Sequence, residues 1–188
     1  MCLYCLFVTY TRCKANLGKL CNHSVQEKNF IRTIAVKCLE NEVQGTVWAY
    51  GNTTAELDVQ LGKMTNDTGA LWNDIEITIK YADITGNYSN ENVVSRINEI
   101  NDEANCLVFF SAAKNANVFG EPFKNPNFKK IVVASLQGAD LSKLGGHETI
   151  IVTDYGDSNV WNIVNKIIGF TTTTSKTTME SGNQQNDI

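Results

Sequence analysis

The residues best placed to do chemistry are Asp154, Asp157 and His147. Asp154-Tyr155-Gly156-Asp157-Ser158 follows directly on the apolar run Thr149–Thr153, and His147-Glu148 precedes that run. In open α/β sheets, ligands gather beyond the carboxyl ends of strands. Two carboxylates three residues apart at such a position can hold a hard cation, or one of them can act as a base. The same five residues also read as a turn leading into a helix N-cap, which accounts for both aspartates without a ligand. His147 stands on a Gly145-Gly146 turn, with its imidazole expected to face solvent. A second polar exit, Ser111-Ala112-Ala113-Lys114, closes the apolar run Cys106–Phe110 and has the donors to bind an anion.

Six cysteines stand at 2, 5, 13, 21, 38 and 106. Cys2, Cys5, Cys21 and His23 offer thiolate and imidazole, the ligands zinc takes in tetrahedral sites. Their spacing departs from the two close pairs of a zinc knuckle, so reduced thiols in an amino-terminal strand or arm are the alternative. The opening run Met1–Val8 is apolar but short and lacks a basic n-region, and the expectation is a reducing compartment or a virion rather than secretion. No apolar run reaches the ~18 residues of a membrane span.

Other chemistry is missing from the text of the sequence. Gly62-Lys63-Met64-Thr65 lacks the upstream glycine of a phosphate loop, and Gly138 and Gly145-Gly146 do not build a dinucleotide fingerprint. No G-x-S-x-G elbow, H-E-x-x-H pair or EF-hand loop is present. Sixteen Lys+Arg against twenty Asp+Glu give a net charge of −4, without the basic stripe of a nucleic-acid binder. Apolar residues at 43% are enough to build a core.

The elements that must carry these residues divide the chain of 188 residues in two. In the first half, Ile31–Leu39 reads either as a strand or as part of a helix capped by Ser24. Val43–Tyr50, Ala55–Leu61 and Ile75–Tyr81 read as strands, the last two alternating apolar with polar. Together they predict an antiparallel β-meander with one wet face. In the second half, Val93, Val94, Ile97 and Ile100 form a helical stripe behind Ser89 or Asn90. Cys106–Ser111, Ile131–Leu136 and Thr149–Thr153 read as strands covered on both faces, and Val160, Ile163, Val164 and Ile167 as a helix ending at Gly169. The expected fold class is therefore α+β: a meander first, then α/β-like strands with two amphipathic helices. The expected division is a cysteine-rich arm over 1–24, one domain over 25–170 and a flexible polar tail over 171–188. Asparagine is abundant, which reads as coding bias rather than mechanism.

Two segments resemble known families. Ile75-Glu76-Ile77-Thr78-Ile79, Val93-Val94-Ser95-Arg96-Ile97-Asn98 and Leu107-Val108-Phe109-Phe110 together resemble a module of flagellar-hook and bacteriophage tail-type structural proteins, over about a quarter of the chain. Asn127–Val133 and Asp140–Thr153 resemble the α/β half of a large-subunit ribosomal protein family, whose basic arm this chain lacks. The first resemblance and the missing catalytic constellation imply a non-enzymatic structural or assembly protein, of virion or appendage type. It would need no cofactor and would present surfaces to other protein chains in an oligomer. The alternative is a small ligand- or metal-binding α/β domain, or an enzyme, using Asp154 and Asp157 at a strand end.

Overall fold

Apolar runs bounded by polar exits set the architecture. The computed structural model describes residues 4–11, 21–51, 64–78, 90–101 and 104–169. Its strands are β1 (Tyr4–Thr11), β2 (Gln44–Gly51), β3 (Cys106–Ser111), β4 (Lys130–Ser135) and β5 (Glu148–Ile151). They form one five-stranded sheet in the order β2-β1-β3-β4-β5, and every pair is parallel. The helices are α1 (Cys21–Leu39), α2 (Thr68–Thr78), α3 (Asn90–Asn98) and α4 (Asp157–Ile168). This is an α/β fold, so the expected antiparallel meander and the α+β class are corrected.

The physical reason for the correction lies in two segments. Ile75–Thr78 belongs to α2, not to a strand. Leu71 and Ile75, four residues apart, are fully buried, whereas Ile77 is 54% exposed; a strand carrying Ile75 and Ile77 on one face would bury both. Asp67 starts the helix, its Oδ1 accepting the Ala70 N–H at 2.8 Å. The flagellar-type resemblance loses its first strand by the same finding. Ile31–Leu39 is likewise helical, the carboxyl half of α1, which begins ahead of the expected Ser24 cap. The second departure is β1. Residues 4–11, inside the stretch set apart as an arm, form the strand between β2 and β3. The expected strand at Ala55–Leu61 and the tail at 171–188 fall outside the described residues.

Each side of the sheet has its own core. Cys5, Phe7, Val108, Phe110, Val132 and Ala134 point to one face, where α1, α2 and α4 cover them with Ile31, Ile34, Leu71, Ile75, Ile163 and Val164. Leu6, Val8, Leu107, Phe109, Ile131 and Val133 point to the other, under α3 and two short 3₁₀ turns. On that second face Tyr50 stacks on Phe109 at 5.3 Å, and Phe119 and Phe123 meet Phe109 edge-on. Helix α1 covers the first face on the way from β1 to β2, and α3 the second on the way back across to β3. Crossovers running in opposite directions keep one hand only by using opposite faces. Strand β3 is buried along all six residues, as its continuous apolar run predicts. Gly45 lets β2 lie close to β1, since a Cβ there would sit 2.8 Å from the Phe7 ring.

Candidate ligand site at the carboxyl edge of the sheet

The strand order reverses between β1 and β3, because the chain leaves β1 for β2 on one side and returns past it to β3. A crevice outside the carboxyl ends of strands opens at such a reversal. The end of β1, the start of α1 and the chain leaving Ser111 lie at this edge of the sheet. The first turn of α1 carries no acidic residue, so the positive end of its dipole has no carboxylate from that turn beside it.

Hydroxyl and carboxylate groups gather along this edge. Ser111 and Ser135 end neighbouring strands in register and are both fully buried. The Ser111 Oγ accepts the Ala113 N–H at 3.0 Å, turning the chain out of β3. The Ser135 Oγ is buried without a hydrogen-bond partner. On the other face, the Tyr155 hydroxyl lies 3.1 Å from Glu27 Oε1 of α1 and 3.4 Å from the Leu136 carbonyl oxygen. Glu27 is 4% exposed, and Phe30 packs on the Tyr155 ring at 5.3 Å. This link ties α1 to the loop between β5 and α4. Tyr155 lies in the segment the sequence singled out, Glu27 does not, and their pairing depends on elements far apart in the chain. Lys114, three residues beyond Ser111, is exposed.

The residues singled out by sequence fall in different places. Asp154 is at the carboxyl edge, but its carboxylate is engaged. Oδ1 accepts the Gly156 N–H at 2.8 Å and the Asn159 amide at 3.2 Å. The Gly156 bond first, and the Asn159 amide next, hold its carboxyl below the usual carboxylate range. Asp157 is exposed in the first turn of α4, whose N-cap is Gly156, and there its charge favours the helix dipole. His147 lies at the amino end of β5, with that whole strand between it and Asp154. Its Nδ1 accepts the Ile131 N–H at 3.0 Å, closing β4 against β5. The histidine and the two aspartates are thus not one cluster.

The amino-terminal zinc candidates also separate. Cys5 sits near the amino end of β1, fully buried. Cys21 and His23 lie in the first turn of α1, which starts at the opposite edge of the sheet, and Cys2 is outside the described residues. Among the described residues no group of three or more His, Cys, Asp and Glu is arranged to hold a metal ion. No helix is long and apolar enough to cross a membrane, among the described residues. No protein-family model matches the chain, and no curated protein matches it.

Proposed function

We propose that this domain binds a small anionic ligand at the carboxyl edge of its sheet, where the order reverses between β1 and β3. The observation that carries the reading is that reversal, with the acid-free amino end of α1 beside it. The sequence adds to it: the β1–α1 connection holds Arg12, Lys14 and Lys19 and no Asp or Glu. Lys114 supplies a further cation behind Ser111. The test is thermal melting and calorimetric titration of the full chain with inorganic phosphate, a nucleoside monophosphate and a dicarboxylate. Binding should raise the melting midpoint in proportion to ligand occupancy. Lys114→Ala should weaken it about tenfold, the equivalent of one charge-assisted contact. Lys129→Ala, at the opposite edge, should leave it unchanged. Absence of binding by all three probes, or equal loss in both variants, defeats the reading.

An assembly role remains a second reading because two tryptophans stand half-exposed on the helical layer: Trp72 at 47% and Trp161 at 44%. Light scattering over a concentration series, with and without residues 171–188, tests it. Growth in mass with concentration supports association of this chain with itself, and a constant monomer mass counts against it.

A further inference from the structure

Cysteines 5, 38 and 106 are free and buried together on the face covered by α1. Cys5 of β1 and Cys106 of β3 are direct register partners on adjacent strands, with both side chains on that face. Their α-carbons are therefore about 4.8 Å apart, the spacing of hydrogen-bonded strands. Disulfides span Cα separations of about 4.4–6.8 Å. Cys38 lies in the same buried cluster but is carried by α1, outside the strand register that pairs Cys5 with Cys106.

We propose that Cys5 and Cys106 form a reversible redox pair that staples β1 to β3 at the centre of the sheet. With hydrogen peroxide as oxidant, one thiolate attacks the peroxide, the O–O bond breaks and hydroxide leaves. The sulfur then carries a hydroxyl as a sulfenic acid. The neighbouring thiolate attacks that sulfur and expels the hydroxyl as water. Two thiols have then lost two electrons and two protons, and one peroxide has become two waters.

Two features shape the behaviour of the pair. Burial, reinforced by the neighbouring thiols, raises the Cys5 thiol well above its usual range, so few thiolates exist in the closed fold. Oxidation therefore waits for a local opening of the sheet, and its rate stops rising once peroxide is abundant. The β-carbons of a disulfide stand ~3.8 Å apart, closer than the strand spacing. The bond draws the strands together and carries strain, and strained disulfides are the readily reduced ones. Closing a loop from residue 5 to residue 106 also restricts the unfolded chain, which raises stability in the oxidised form.

The experiment treats the fully reduced full-length chain with hydrogen peroxide, then maps disulfide-linked peptides by mass spectrometry. The expected product links Cys5 to Cys106, weighs two hydrogens less, and reverts with dithiothreitol. Its melting midpoint should lie roughly 10 °C above that of the reduced protein, after conversion of the loop-closure term to a temperature shift. Cys38→Ala should retain the link, which shows that the third thiol is dispensable. Cys106→Ala should leave Cys5 unlinked. A wild-type chain that keeps Cys5 and Cys106 as thiols, or that links Cys5 to any other cysteine, overturns the proposal. So does a link in Cys106→Ala between Cys5 and Cys38.

Discussion

Asparagine and aspartate side chains hold this fold's loops in place by capturing backbone groups. Asn125, 4% exposed, donates through Nδ2 to the carbonyls of Ile97 and Ile100, while its Oδ1 accepts the Asn127 N–H. Asn98 answers from α3, donating to the Pro122 carbonyl and accepting the Lys124 N–H. The end of α3 is thus bolted to the long β3–β4 connection, and the abundance of asparagine has a structural use at these positions. Asn125→Ala leaves two helix-end carbonyls without that donor, and the expected loss is about 2–3 kcal/mol. Urea titration should show it as a lower midpoint at unchanged slope; a loss under about 0.5 kcal/mol would mean water replaces the amide. Asp154 acts in the same way at the start of α4. Its carboxyl is depressed in the folded state, so its stabilisation is complete above the ordinary Asp pKa of about 3.9. It is lost as pH falls through the lower folded value. Asp154→Ala should lower the melting midpoint by about 3 °C at neutral pH, with the gap narrowing as pH falls below the ordinary Asp range. Asp154→Asn, which keeps an acceptor for Gly156, should lose less. A gap that is constant with pH would remove the charge from the account.

At the scale of elements, what could be read from the sequence depended on whether burial was two-sided. Strands β3 and β4 and helices α3 and α4 were legible, because a strand covered on both faces must be apolar throughout and a half-covered helix must show a stripe. β5 is a strand as expected, but at the sheet edge it is not covered on both faces, and Ile151 is 48% exposed. Gly169 ends α4 as expected, with φ at 79° and its N–H on the Asn165 carbonyl. By the same rule the buried run Cys5–Val8 of β1 belongs to a central strand, where the sequence reading left a strand or an arm open. Ile75–Tyr81 misled for another reason. Alternation over so few residues also fits a helix whose buried stripe runs through Leu71 and Ile75, and the Asp67 cap was the signal that separates the two. The distinction is open to measurement: Ile75→Ala should cost about 2–4 kcal/mol, and Ile77→Ala under about 0.5. Equal costs would restore a strand. Helix α2 also brings Glu76 to Lys28 and Arg32, and stacks Trp72 on the Arg32 guanidinium. Hydrogen bonding from Lys28 is the main cause of the lowered Glu76 carboxyl. None of this was visible in sequence, since the partners lie 44 and 48 positions apart. The candidate site was partly legible in the same sense. Asp154 and Ser111 were placed at strand ends, but the crevice follows from strand order, which local pattern does not encode.

The whole molecule is one sheet shared by two cores, and that has a thermodynamic consequence. Every central strand contributes alternate side chains to both faces: Phe7 and Leu6 from β1, Val108 and Phe109 from β3. Neither core can be dismantled without breaking the strands that the other is built on, so the described domain should unfold as a unit. The three tryptophans are distributed to test this. Trp48 is buried on the α3 face, while Trp72 and Trp161 stand on α2 and α4 on the opposite side. Single-tryptophan variants, with the other two replaced by phenylalanine, would each report on one side by fluorescence. Their denaturation midpoints within one variant should coincide with the midpoint from far-ultraviolet circular dichroism. A core deletion on one face should shift the signal from both. Phe109→Ala, on the Trp48 side, should cost about 3–5 kcal/mol and lower the midpoint reported by Trp161 as much as that reported by Trp48. Ile34→Ala, on the buried side of α1, should do the same in reverse at about 2–5 kcal/mol. If Phe109→Ala moved the Trp48 transition and left Trp161 in place, the two faces would be separate folding units. The sheet would then be a seam between them rather than their common frame.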